Sequence, residues 1–221
     1  TELLALIAHT RKTTGKMPVV ISWAMGSVVS LAAVNEMART DDEQLALYVP
    51  MSYSNLENLQ NLRVDSAAAH KAILALSDTA EIPTFDTGTD ITALGYYPLD
   101  TNTQNYVNEQ LGDYTDASGA DHWPGCQAIT AKSYKSYVAF DPESGISAKA
   151  CKYPPSLIVH GELNTLHDPA ESKRLFEMYP NSNGSELLII PGMEHGQQFV
   201  QDNPIFHGLI NKINDRISSL S

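Results

Sequence analysis

The chain has 221 residues, 43% of them apolar, and 26 acidic against 14 basic side chains leave it at −12. That apolar content is ordinary for a folded domain and excludes wholesale disorder or low-complexity architecture. So acidic a surface repels phosphate backbones and anionic lipid, which argues against nucleic-acid binding through a basic face. No apolar run approaches the ~20 residues of a membrane span, and no charged-then-apolar leader opens the chain. The scarcity of Lys and Arg beside much Asn, Ser, Thr and Tyr leans towards an exported, secreted or periplasmic protein.

Periodicity divides the chain into three parts, 1–54, 55–150 and 151–221. In the first, Leu3, Leu4, Leu6 and Ile7 open an amphipathic helix that ends at Thr13-Thr14-Gly15-Lys16. Pro18-Val19-Val20-Ile21 is short, apolar and β-branched, the composition of a strand buried on both faces in a parallel sheet. Ser22-Trp23-Ala24-Met25-Gly26 then joins that strand to a helix over Val28 to Met37. The small-x-x-x-small spacing suits a sharp strand-to-helix turn whose central residue is strained. Leu45 to Val49 reads as the next buried strand, and strands alternating with helices argue for βαβ units.

The middle part differs. Val64 to Leu76 has helical character, but much of 84–125 is polar, and 55–150 holds nine of the seventeen aromatic residues. Among them are Tyr96, Tyr97, Tyr106, Tyr114, Trp123, Tyr134 and Tyr137. So long an insertion is expected to form a lid of its own. Cys126 in the insertion and Cys151 at its exit lack zinc-type spacing; they either bridge or stand as two thiols.

The third part repeats the alternation. Ser156 to Val159 is a strand, and Pro169 to about Tyr179 a helix. Glu186 to Ile190 is another strand, and a final helix carries Ile205, Leu209, Ile210, Ile213 and Ile217 on one face. Asp168-Pro169-Ala170-Glu171 has the residues of a capping box with proline at the first helical position. His160 reads as a packed strand-end residue, and with His167 it lacks a third partner for a metal, so no metal is expected. His195, in Pro191-Gly192-Met193-Glu194-His195-Gly196 after the last strand, is expected exposed on a short loop, where a general base would serve.

Together these motifs resemble the α/β-hydrolase superfamily, lid-bearing esterase and lipase type. Ser22-Trp23-Ala24-Met25-Gly26 is similar to its Gly-x-Ser-x-Gly elbow, Gly161-Glu162-Leu163-Asn164 to its Gly-x-x-Asp loop, and Gly192-Met193-Glu194-His195-Gly196 to its histidine loop. The resemblance covers about 1–54 and 151–221 and implies an α/β fold, a mostly parallel sheet flanked by helices with an inserted, largely helical lid. It implies a metal-free, cofactor-free hydrolase of carboxylic esters or related acyl compounds. Residue 24 would be the nucleophile position, His195 the base, Asn164 the acid position, and the Met25 N–H an oxyanion donor. Asp168 is the alternative acid, with Glu57 behind it. Trp23, Tyr96, Tyr97 and Trp123 would meet a neutral acyl or aromatic substrate.

Three departures stand out. Ala24 has no oxygen to attack with, so the chain as it stands is expected to be inactive, through a Ser-to-Ala change or natural degeneration. Asn164 carries no charge. The strands that precede the elbow strand in the family are missing, so a further polypeptide is expected along the Val19–Ile21 edge. A non-catalytic binding protein on the same fold, an acyltransferase and a lyase are the alternatives.

Overall fold

The computed structural model describes residues 2–40, 45–58, 67–83, 128–146, 153–164, 167–180, 184–195 and 203–219. In chain order its elements are α1 (Glu2–Thr14), β1 (Val19–Trp23), α2 (Met25–Arg39), β2 (Leu47–Met51), α3 (Ala67–Leu74), β3 (Glu81–Pro83) and β4 (Ala128–Thr130). There follow α4 (Ala131–Val138), a 3-10 turn (Pro142–Gly145), β5 (Leu157–Gly161), α5 (Pro169–Met178), β6 (Glu186–Ile190) and α6 (Pro204–Ser219). They fall into two units, Thr1–Asn55 with Asp141–Ser221, and Leu56–Phe140.

The first unit is built on a four-stranded parallel sheet in the order β1-β2-β5-β6. The two inner strands, β2 and β5, are buried at every residue, which is why both read as unbroken apolar runs. Pro50 lies inside β2, where its missing N–H leaves a gap in the ladder. Tyr48 donates to Pro155 and Ser52 to Val159, and the bond that residue 50 would make between them is absent. The strand survives because Pro50 sits beside Ser22 of β1, where the pairing is continuous.

Side-chain alternation sends Leu47, Val49, Met51, Leu157 and Val159 to one face, where Leu209 and Ile213 of α6 cover them. Each of those α6 side chains is 4% exposed, and each burial contributes about 1.5–3 kcal/mol. Ile205 and Ile217 pack against the same cluster, but Ile210 is 37% exposed and turned from the face the periodicity gave it. One residue after Leu209, it is rotated about 100° around the helix. The opposite face carries Tyr48 and His160, against α2 and α5 respectively.

β1 is a sheet edge, and it is not fully covered. Ile21 is 49% exposed, and Leu6, Met25 and Val29 are 60%, 41% and 56% exposed. The second unit has its own small core of Ile73, Ala131 and Tyr134, beside the antiparallel pair β3–β4. Tyr134 therefore packs within that unit. Tyr96, Tyr97, Tyr106, Tyr114, Trp123, Cys126 and Cys151 lie outside the described residues.

Two glycines give opposite expectations. A β-carbon on Gly161, at the end of β5, would stand 2.3 Å from the Met193 carbonyl oxygen, which is backbone and cannot swing aside. Gly161→Ala is expected to lower stability by about 1–3 kcal/mol, read from the urea midpoint. Gly208, exposed in α6, meets nothing within 4 Å, so Gly208→Ala is expected to raise stability by about 0.5–1 kcal/mol. A neutral Gly161→Ala would contradict the close approach of the two strand-end loops.

Candidate active site

The strand ends of the sheet carry the candidate residues, and the first of them is strained. Ala24 joins β1 to α2 with φ 52° and ψ −122°, a conformation that L-residues seldom adopt. Its N–H donates to the Met51 carbonyl (2.9 Å), and its own carbonyl accepts the Ser27 N–H (2.9 Å). Ser27 adds a hydroxyl bond to that same Met51 carbonyl (2.9 Å). Behind them the Ser30 hydroxyl donates to Ser22 Oγ (2.8 Å), and the Tyr48 hydroxyl reaches the Ser27 carbonyl (3.0 Å). Burial pushes the Tyr48 phenol well above its ordinary range and so keeps it a donor. Strain of about 1–3 kcal/mol is held by this buried set of bonds.

The small residues at the turn are roomier than their spacing suggests. A β-carbon on Gly26 would meet only Ser22 Cβ, at 4.0 Å, an ordinary contact. Met25 is the first residue of α2, so its N–H belongs to the turn that has no intrahelical acceptor.

His195 is not exposed, as its loop position implied; it is 2% exposed. Its carbonyl accepts the Trp23 indole N–H (2.9 Å), and the Trp23 and His195 ring centroids are 4.7 Å apart. The His167 ring lies 4.6 Å from His195 as well. Two aromatic neighbours therefore enclose an imidazole that a loop alone would leave mobile. The histidine loop is also laced to the Gly161–Asn164 loop. The Leu163 N–H donates to Met193 (3.0 Å), Glu162 N–H to Ile190 (3.0 Å), and the Glu162 carboxylate accepts the Gly192 N–H (3.2 Å).

Asn164 is 4% exposed and is used as an amide. Its nitrogen donates to Ser52 Oγ (3.2 Å) and its oxygen accepts the His167 N–H (2.9 Å). Ser52 is fully buried and has φ 52°, a second strained residue at a neighbouring strand end. Asp168 is the N-cap of α5, its Oδ1 accepting the Ala170 N–H (2.8 Å). Glu57 belongs to the second unit. His160 is fully buried, with Nδ1 2.6 Å from Ser172 Oγ and Nε2 2.9 Å from the His167 carbonyl. A carbonyl only accepts, so Nε2 carries the proton and the Ser172 hydroxyl donates to Nδ1. Ser52 has no signal in its neighbouring residues, and His167 reads in the sequence only as half of an incomplete metal pair.

Two measurements follow. Ala24→Gly, which elsewhere in a chain costs stability through backbone entropy, is expected to be neutral or stabilising by about 1 kcal/mol here, because glycine adopts this φ without strain. A loss above about 1 kcal/mol in urea unfolding would contradict the strained turn. Burial holds the His160 pKa below its ordinary value. The unfolded chain therefore takes up a proton near pH 6.5 that the folded one refuses, and stability falls as pH drops below that point. His160→Gln is expected to flatten that fall between pH 7 and 5.5, by up to about 1.4 kcal/mol per pH unit. An unchanged slope would show that His160 titrates alike in both states.

No protein-family profile matches this sequence, and no curated protein is similar to it in sequence. Among solved structures, a soluble variant of monoglyceride lipase from Saccharomyces cerevisiae, in complex with a substrate analogue, superposes with a TM-score of 0.69 at 15% identity. The match covers 100% of this chain and 68% of that one. The α/β hydrolase GrgF from Penicillium gives 0.61 at 16% identity, over 99% and 70% of the two chains. A monoacylglycerol lipase from Paleococcus ferrophilus gives 0.60 at 17%, over 100% and 75%. At these identities the similarity speaks for architecture, and together with the parallel sheet and its flanking helices it shows that this chain has the α/β-hydrolase fold.

Proposed function

We propose that the chain is the scaffold of a serine-type hydrolase of carboxylic esters or related acyl compounds, with alanine standing at the nucleophile position. The observation that carries this reading is the backbone of Ala24, with φ 52° at a strand-to-helix turn. A residue of no chemical use is held in a costly conformation by buried hydrogen bonds, and the function of such a turn is to present a side chain. A serine there would attack the acyl carbon, His195 would take its proton and return it to the leaving alcohol, and the Met25 N–H would stabilise the oxyanion. Asn164 occupies the acid position without charge, so imidazolium stabilisation is weakened. Asp168 is the second choice for that role, since its carboxylate is engaged as a helix cap. The acyl ligand is proposed to be neutral, in keeping with a charge of −12 that disfavours anions. Trp23, Tyr96, Tyr97 and Trp123 are its proposed contacts, and 55–150 its lid.

A second reading, a non-catalytic binding protein on the same fold, is favoured by one observation. Asn164 uses both ends of its amide in the loop it occupies, as a settled structural residue would. We also propose that a further apolar strand, in the same or another polypeptide, pairs along β1. The half-exposed Ile21 supports this.

Ala24→Ser is the test. It is expected to release 4-nitrophenol from 4-nitrophenyl butyrate in a burst stoichiometric with protein, followed by slow turnover. Adding Asn164→Asp is expected to raise that turnover by roughly 10²–10⁴. If both variants fold and neither hydrolyses the ester, the esterase reading fails and the binding reading takes its place.

A further inference from the structure

Two rings lie against the imidazole of His195. One is Trp23, the last residue of β1, with ring centroids 4.7 Å apart and planes tilted by 39°. The other is His167, just ahead of the α5 N-cap, at 4.6 Å and 36°. Both separations fall at the near end of the range in which aromatic rings attract one another. Trp23 is tied to the same residue a second time, because its indole N–H donates to the His195 carbonyl (2.9 Å). All three residues belong to the sheet-bearing unit.

His167 is itself anchored. Its N–H donates to Asn164 Oδ1 (2.9 Å), and its carbonyl accepts the proton of His160 Nε2 (2.9 Å). The Ser172 hydroxyl holds His160 through Nδ1 (2.6 Å), and Ser52 Oγ holds Asn164 through its amide nitrogen (3.2 Å). Asn164, His160, His167 and His195 are 4%, 0%, 2% and 2% exposed, so water competes little for these bonds. One residue later, Asp168 accepts the Ala170 N–H (2.8 Å) and fixes the start of α5. Both backbone polar groups of His167 are thus engaged by buried side chains, and the Cα from which its ring projects is held on either side.

A general base must present one ring nitrogen in a fixed direction. A triad carboxylate does this by a hydrogen bond to the imidazole, and its charge also stabilises the imidazolium. An amide at that position has no charge for the second task. We propose that His167 is a positioning residue for His195, orienting the imidazole by ring contact, with Trp23 as the second ring and Asn164 as the support that seats His167. The residue at the acid position then reaches the base through its neighbour. This rests on the reading that His195 is the general base of a hydrolase. Its effect falls on proton transfer and not on ligand affinity. His195 serves acylation and deacylation alike, so both steps slow together and KM stays where it is.

The test uses the whole chain and two readouts. His167→Ala opens a buried space and is expected to weaken the fold, so His167→Leu, which fills the space without a flat face, is made beside it. His167→Phe restores a ring without its nitrogens. The first readout is the proton spectrum of 13C-labelled histidine rings in the parent chain, with the His195 signal identified by its loss in His195→Gln. Ring currents displace that signal from those of the exposed His9 and His207. The displacement is expected to fall by roughly half in His167→Leu, where one of two rings is lost, and to persist in His167→Phe. The second readout is hydrolysis of 4-nitrophenyl butyrate in the Ala24→Ser background. There His167→Leu is expected to lower kcat at least about tenfold with KM within about twofold, and His167→Phe to recover kcat to within about threefold. An unmoved His195 signal in His167→Leu overturns the proposal. So does a His167→Phe protein no faster than His167→Leu, or a loss carried by KM. If the Ala24→Ser parent hydrolyses nothing, the esterase reading has failed separately. The ring signals alone then decide whether His167 orients His195.

Discussion

One carbonyl oxygen holds the candidate site in place. Met51 ends β2 and accepts both the N–H of Ala24 and the hydroxyl of Ser27, so the neighbouring strand pins the turn at both of its ends. Without those bonds the backbone at residue 24 would relax to a negative φ, and the side chain would turn away from the strand ends. The Ser22–Ser30–Tyr48 chain behind the turn is polar and, at Ser30 and Tyr48, buried, an arrangement that lowers stability unless each member finds a partner. Here each does. This set of polar bonds thus holds the strained conformation at residue 24.

The other two strand-end loops are fixed by a different constraint, close approach. Gly161 allows the histidine loop to pass within reach of the β5 terminus, and the Met193 and Ile190 carbonyls accept N–H groups from the adjacent loop. His195 is thereby enclosed between Trp23, which belongs to the elbow, and His167, which belongs to the Asn164 loop. Elements distant in sequence meet at one imidazole. That convergence supports treating the three loops as one site, in line with ligands binding at the carboxyl ends of parallel strands.

Much of this was legible in the residues. The inner strands β2 and β5 were visible because strands covered on both faces leave no polar alternation to confuse the reading; the edge strands β1 and β6 showed as apolar runs too, although they are only partly buried. Asp168 as a helix cap followed from Asp-Pro-Ala-Glu alone. Other features depend on contacts that no local pattern encodes. His195 looked exposed because loops usually are, but tertiary packing with Trp23 and His167 buried it. Ile210 sat within an apolar stripe yet lies just outside the face that α6 presents to the sheet. The Tyr53 hydroxyl donates to Glu143, 90 positions on, and Arg174 donates to Glu143 from 31 positions further, and no spacing rule connects them. Ser52 takes its positive φ from its place between β5 and Asn164, which nothing in its neighbours announces.

The central claim is that residue 24 is the point at which this scaffold presents a nucleophile. Mapping of a fluorophosphonate adduct by peptide mass spectrometry on the Ala24→Ser protein tests it most directly. The account predicts one adduct, on the tryptic peptide spanning 17–39 and localised to position 24, and none on the parent chain. An adduct on Ser22 or Ser27 instead, or equal labelling of the parent, would show that the strained turn presents nothing and would contradict the account.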